Sequence, residues 1–228
     1  MYRFLEEEAK KQSNIEDITQ KALPLLNEDA TPEEVEDDWI TNFFDKCRIV
    51  SDDDMQQLWS RILAGQANAP GAFSRRTVNL LADLEKSDAE LFMNLCGFAW
   101  QIQNIVPLVF STQSDIYNQH GITFNSLIHL ESLGLLQFDG TAGLRRVNLP
   151  KRVVVFYYGS SVELILPKDA DNELQLGKVL LTRAGHELAL VCGSTPVEGF
   201  FDFVYERWER QSLVPKRKAE EKAAATNS

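Results

Sequence analysis

Met55, Leu58, Trp59, Ile62 and Leu63 recur at i, i+3, i+4, i+7 and i+8, the spacing of one buried helix face. The surrounding stretch, Ser51 to Ile102, carries three helix-start signals. Ser51 precedes Asp52-Asp53-Asp54, Ser74 precedes Arg75, and Ser87 has Glu90 three residues on. The last pair has the form of a capping box, with Ser87 taking the Glu90 amide and Glu90 reaching back. The pattern predicts three packed helices near 52–64, 75–85 and 88–103, with the Gly- and Pro-bearing 65–73 as a loop.

Before this stretch, residues 2–26 predict a helix that is charged all round at first and amphipathic through Ile15, Ile18, Ala22 and Leu26. Pro24 should end or kink it. Thr31-Pro32 reads as the start of a helix 33–49, with Val35, Trp39, Ile40, Phe43, Phe44 and Cys47 as its apolar stripe. After Gly121 the character changes. Residues 123–133 predict a helix with Phe124, Leu127, Ile128 and Leu130 inward, closed by Gly134 and Leu135 in a Schellman ending. Strands are expected at 135–138, 144–149, 153–158, 162–166 and 179–181, with Gly159-Ser160 as a type II′ hairpin turn. Thr182 opens a short helix through Leu188 and Val191. Thr195-Pro196-Val197-Glu198 combines cap, first-turn proline and capping box for a final helix bearing Phe200, Phe201, Val204 and Trp208.

Composition adds that a real core is expected: 44% of the 228 residues are hydrophobic and 25% charged, ordinary globular values. Net charge is −11, which repels nucleic acid and anionic membrane over most of the surface, though not from a local basic patch. The excess is concentrated. Residues 28–54 hold eleven carboxylates against Lys46 and Arg48, a local net of −9. Some of these acids are explained by the helix dipole at first turns. Adjacent ones such as Asp37 and Asp38 diverge by about 100° on a helix, so a solvated acidic face or a docking surface is favoured over a metal site. Arg75 and Arg76 after Ser74 would suit an anion at that helix start, and pairing with the acidic segment explains them equally well.

Candidate chemistry changes the picture little. Cys47, Cys96 and Cys192 are odd in number and have no CxxC spacing, so they read as core thiols in a reducing compartment. His120, His129 and His186 fall in no HExxH, HxH or GxSxG context, and Gly159-Ser160-Ser161 is a turn rather than a nucleophile elbow. No catalytic residue, metal site or cofactor is predicted, and the chain is not expected to be an enzyme. The charged amino-terminal stretch has no signal-peptide core. The most apolar run, Leu95 to Phe110, is too polar to span a bilayer. A cytoplasmic location is expected.

Helix, turn, a helix ending in Leu133-Gly134-Leu135-Leu136, a β-ribbon, and then Leu180-Leu181-Thr182-Arg183-Ala184-Gly185-His186-Glu187-Leu188 together resemble a winged-helix module over roughly residues 88–191. In DNA-binding members the second helix reads the major groove. Here that helix, 123–133, has no Lys or Arg and offers only Asn125, Ser126 and His129. The wing equivalent carries Arg145, Arg146, Lys151 and Arg152, which would touch phosphate. Glu36 to Phe92 also resembles an uncharacterised bacterial family, domain-of-unknown-function family 2806. The likeness rests on the Trp39/Phe43/Phe44 cluster, Met55-Gln-Gln-Leu-Trp59, Ile62-Leu-Ala-Gly65, Pro70-Gly71 and Arg76-Thr77, and continues more loosely to Trp208. It implies no activity, cofactor or catalytic residue. Longer relatives carry a further Ala/Glu-rich helical region, of which this chain would hold at most the last turns.

The expectation is therefore a mainly helical α+β protein: an N-terminal helix over 1–30, a helical bundle over 31–110, a winged-helix-like module with a small antiparallel β-ribbon over 111–211, and a disordered tail over 212–228. Its expected role is non-catalytic binding of another protein, or of itself, through Glu33, Glu34, Glu36, Asp37 and Asp38, through the first helix, or both. The alternative is DNA binding through Arg145, Arg146, Lys151 and Arg152.

Overall fold

The computed structural model describes residues 2–216 and has an α+β architecture. Helix α1 (Tyr2–Ala22) ends where Pro24 enters a 3-10 turn, and only Asn14, Ile18 and Ala22 on it are buried. A 3-10 turn, Pro32–Glu34, leads to α2 (Asp37–Cys47). The expected helix 33–49 is thus shorter, and Thr31 makes no side-chain cap. Helices α3 (Asp53–Asn68), α4 (Arg75–Asp83) and α5 (Lys86–Cys96) follow.

Two caps sit elsewhere than expected. Asp52, not Ser51, takes the Met55 amide at 3.1 Å. Asp88, not Glu90, reaches back, accepting the Glu85 amide at 3.0 Å, so α5 begins before Ser87. The Ser74 cap forms as expected, onto Thr77 at 3.3 Å. Helix α2 packs through an aromatic ladder: Trp39 stacks on Phe43 at 5.1 Å, and Phe43 meets Trp59 of α3 edge-on at 5.1 Å. The Trp39 indole donates to the Phe73 carbonyl at 2.7 Å, which ties down the far end of a loop shorter than the expected 65–73, because residues 65–68 continue α3.

The helix expected to reach residue 103 stops at Cys96. Residues beyond it form β1 (Ala99–Ile102) and β2 (Asn104–Pro107), joined by a tight bend at Gln103, which has φ 63°. Gly97 at the helix end admits a close neighbour, since a Cβ there would lie 2.9 Å from the Thr195 carbonyl oxygen. After it, Phe98, Trp100 and Ile102 alternate as buried residues with Gln101 exposed, a period of two rather than 3.6.

Short α6 (Asp115–Asn118) precedes α7 (Phe124–Ser132), which ends in the predicted Schellman pair. The Leu135 amide bonds Leu130 O at 3.1 Å, and the Gly134 amide bonds Glu131 O at 2.8 Å. Then come β3 (Leu136–Phe138), β4 (Leu144–Leu149), β5 (Arg152–Tyr157), β6 (Ser160–Ile165), β7 (Asn172–Gly177) and β8 (Val179–Leu181). Strand β7 is not among the sequence expectations, although Leu174 and Leu176 alternate with Glu173 and Gln175. The strands make antiparallel sheets in the orders β2-β1-β5-β6, β3-β8 and β4-β7. The β5–β6 register pairs Tyr157 with Ser160. The turn is therefore Tyr158-Gly159, both at positive φ (44° and 89°), the I′ signature rather than II′.

Helix α8 (Arg183–Ala189) is capped by Thr182, whose hydroxyl takes the Gly185 amide at 3.1 Å. The final helix, α9 (Phe200–Arg210), starts later than Thr195. The expected capping box does not form there: Gly199, at φ 73°, is the N-cap, and the Val197 amide is taken by the Tyr157 hydroxyl at 2.7 Å. Helix α9 lays Phe200, Val204 and Trp208 on the four-stranded sheet, with Trp208 4.8 Å from Trp100. Residues 212–216, expected as disordered tail, are ordered: Leu213 O accepts the Ile165 amide at 2.8 Å and Val214 is buried. The rest of the tail expectation, 217–228, lies outside the described residues. Buried apolar side chains from Ile18 to Val214 form one contiguous cluster. No helix among the described residues is long and apolar enough to cross a membrane.

Candidate functional site

The acidic segment divides in two. Asp52, Asp53 and Asp54 at the start of α3 are locally neutralised: Lys86 reaches Asp52 at 3.1 Å and Asp54 at 2.5 Å, and Lys21 reaches Asp53 at 2.6 Å. The Met55 amide and then Lys86 hold Asp52 below the usual carboxylate range, and Lys21 does the same for Asp53. Glu33, Glu34, Glu36, Asp37 and Asp38 are all exposed. Buried Val35 and Trp39 anchor the backbone beneath them. Among the described residues only Asp38 of this set has a basic partner, Arg75 at 3.5 Å. The five carboxylates spread along a 3-10 turn and a first helical turn instead of converging. No group of three or more His, Cys, Asp or Glu among the described residues could hold a metal ion. Helix α1 exposes every residue from Tyr2 to Lys10, including Phe4 and Leu5.

The basic candidates are placed differently. Arg145 on β4 faces Glu173 at 3.1 Å, Lys151 faces Asp169 at 2.8 Å, and Arg152 on β5 faces Glu163 at 3.1 Å. Arg146 acts on His186, whose imidazole burial and then this guanidinium hold below its ordinary value. On α7, His129 bonds Asp88 at 2.7 Å and Ser126 is taken up by the Thr123 cap, which leaves Asn125 exposed.

Two constellations join residues far apart in sequence. The first holds α8 against α4. Glu187 lies at the α4 start, where its carboxylate accepts from the Ser74 amide (2.8 Å), the Ser74 hydroxyl (3.2 Å) and the Thr77 hydroxyl (2.6 Å). Arg183 donates to its other oxygen at 2.8 Å. The anion that Ser74 and the following arginines suggested is thus the protein's own. Burial raises the Glu187 carboxyl, but Thr77, Ser74 and Arg183 outweigh that and leave it below its ordinary value.

The second constellation gathers Cys96, Cys192, Ser194 and Tyr158. The Tyr158 hydroxyl bridges the Cys96 carbonyl (3.1 Å) and Ser194 Oγ (2.7 Å). All three cysteines are free and buried, yet their environments differ. Burial pushes Cys47 up to about 12. Burial raises Cys96 as well. For Cys192, a hydrogen bond with Cys96 leads, burial opposes, and bonds at Ser194 assist, bringing the thiol down to about 7. Sequence reasoning treated these thiols alike. Only the fold brings residues 96 and 192 together, and no spacing rule signals it.

These features define an acidic α+β protein with an exposed carboxylate strip and, among the described residues, no group of three or more His, Cys, Asp or Glu that could hold a metal ion. Residues 1–205 match the family described as a protein of unknown function (DUF2806), and the chain belongs to that family. No curated protein and no solved structure matches it.

Proposed function

We propose that this is a non-catalytic module that binds a basic partner protein through Glu33, Glu34, Glu36, Asp37 and Asp38, with the free first half of α1 extending the contact. The carrying observation is the division of the acidic segment. The α3 carboxylates meet lysines of their own chain, whereas four of these five meet no basic group among the described residues. Acids that already have a partner offer little to a second one, while unpaired exposed acids create a field that steers and orients a cationic surface. Behind the strip we read 111–211 as a winged-helix variant: α6 and α7 stand as its helix pair, β3 and β8 bracket the ribbon, and extra strands lengthen the wing. We place the protein in the cytoplasm on the strength of its buried free thiols.

The winged-helix arrangement also motivates the rival reading, DNA binding. The pairing of Arg145, Lys151 and Arg152 with carboxylates weighs against it, since each pair must open before phosphate is contacted.

Capture from the native host, with and without nuclease, tests both readings. The parent chain should retain a stoichiometric protein partner after nuclease, and Glu33, Glu34, Glu36 and Asp37→Lys should lose at least tenfold of it while melting normally. Undiminished capture by that folded variant would remove the acidic-strip reading. Retention that vanishes with nuclease, and with Arg145, Lys151 and Arg152→Ala, would install the DNA reading instead.

A further inference from the structure

Cys96 closes α5 and Cys192 lies just beyond α8, almost a hundred residues later. Two observations independent of titration set the segments that carry them side by side. Tyr158 ties the Cys96 carbonyl to Ser194 Oγ, and the Gly97 backbone sits so close to Thr195 that no Cβ would fit between them. Within that contact each thiol shifts the other's titration, Cys192 downward and Cys96 upward. Each thiol also borders a different cleft. Cys192 lines one of about 280 Å³ with Arg61, Met93 and Leu188. Cys96 lines one of about 350 Å³ with Trp100, Tyr158 and Ser194. Gly193 belongs to both walls, and Arg61 donates to the neighbouring Val191 carbonyl at 3.2 Å. Cys47, by contrast, is fully buried with only a weak bond to Phe44 O, and lines none of these openings.

We propose that Cys96 and Cys192 form a redox-modification site for small hydroperoxides, in which Cys192 is the attacking thiol and Cys96 closes the disulfide. The Cys192 sulfur, as thiolate, attacks the terminal oxygen of ROOH. The O–O bond breaks, the alkoxide leaves and takes up a proton as ROH, and Cys192 becomes a sulfenic acid. The Cys96 sulfur then attacks the Cys192 sulfur, an S–S bond forms, and the S–O bond breaks. The hydroxyl departs as water with the Cys96 proton. Two electrons pass from the two thiols to one hydroperoxide, and nothing further is consumed. The assignment of roles follows access: Cys192 is 8% exposed and opens onto its cleft, while Cys96 is 2% exposed. The modification is stoichiometric, so it requires no turnover. Its failure would leave the acidic-strip reading untouched, because the two share no residue.

Hydrogen peroxide is the probe, applied to the reduced full-length chain with thiols then blocked and peptides mapped without reductant. The expected product has lost two hydrogens, contains a Cys96–Cys192 linked peptide, leaves Cys47 free, and reverts with dithiothreitol. In C96S, dimedone should trap a sulfenic acid on Cys192. In C192S neither product should form, and C47S should behave as the parent. Melting curves confirm which variants are folded. Oxygen addition at Cys192 in the parent without a bridge would overturn the proposal. So would equal oxidation of all three thiols, or a folded C96S that leaves Cys192 unlabelled.

Discussion

Glu187 shows what one side chain can do when helix ends meet. Its carboxylate fills the anion position at the α4 start and spans more than a hundred residues of sequence. Hydrogen bonds to a charged group contribute about 1.5–3 kcal/mol each at most contexts, and they do not add. Glu187→Gln should therefore lower unfolding free energy in urea by roughly 1.5–3 kcal/mol at neutral pH. The pH sign follows from the depressed carboxyl. The stabilisation is complete above the ordinary glutamate value of about 4.3 and is lost as pH falls through the lower native one. Below about pH 4 the parent should lose stability faster than Glu187→Gln, whose curve lacks this component. Equal slopes would remove the carboxylate from the linkage. The residue was visible in the sequence as part of Leu181-Thr182-Arg183-Ala184-Gly185-His186-Glu187-Leu188, but its partners were not. Ser74 announced a cap and nothing in its neighbourhood announced which acid would arrive. Cys192 was hidden for the same reason: its environment is made by the α5 end and the Tyr158 turn.

Elements were legible where one periodicity ran uninterrupted. The face of α3 and the Schellman end of α7 follow from spacing and glycine alone. The errors cluster where a tertiary contact outranks a local signal. Gly97 at the end of α5 packs against the Thr195 carbonyl, and Tyr157 takes the Val197 amide within the segment that reads as a Thr195–Glu198 box. At the β5–β6 turn, Asn-Gly would be the usual pair. Tyr158 holds that left-handed place, and its hydroxyl reaches across to Cys96 and Ser194. Gly185 gives a test at this scale. An alanine in a helix normally gains about 1 kcal/mol over glycine. Here the added Cβ would lie 1.9 Å from Leu135 O, which is backbone and cannot rotate away. Gly185→Ala should instead destabilise by about 1–3 kcal/mol or more, seen as a lowered thermal midpoint. A raised midpoint would show that α8 shifts freely over the β3 entrance.

Over the whole molecule, the concentration of acid near α2 was readable from composition, but the sorting of those acids was not. Lys21 and Lys86 lie on other helices, and only their docking beside α3 separates neutralised carboxylates from free ones. The strip was legible as an acidic segment, while which of its carboxylates lack a basic partner among the described residues is set by the assembled fold. The same holds for the expected basic wing, whose acid partners come from β6, β7 and the 166–171 connection.

The short exit segment after α9 has a consequence for self-association. Strand β6 is the outer strand of its sheet, and Leu213 occupies the Ile165 amide while Val214 fills the space below. An outer strand with open amides templates another copy. A chain trimmed after Gln211 should keep its helices yet form concentration-dependent oligomers in sedimentation, whereas one trimmed after Lys216 should sediment as the parent does. The five residues 212–216 are then a doorstop: a piece of chain too short to have a structure of its own closes an amide of the outer strand.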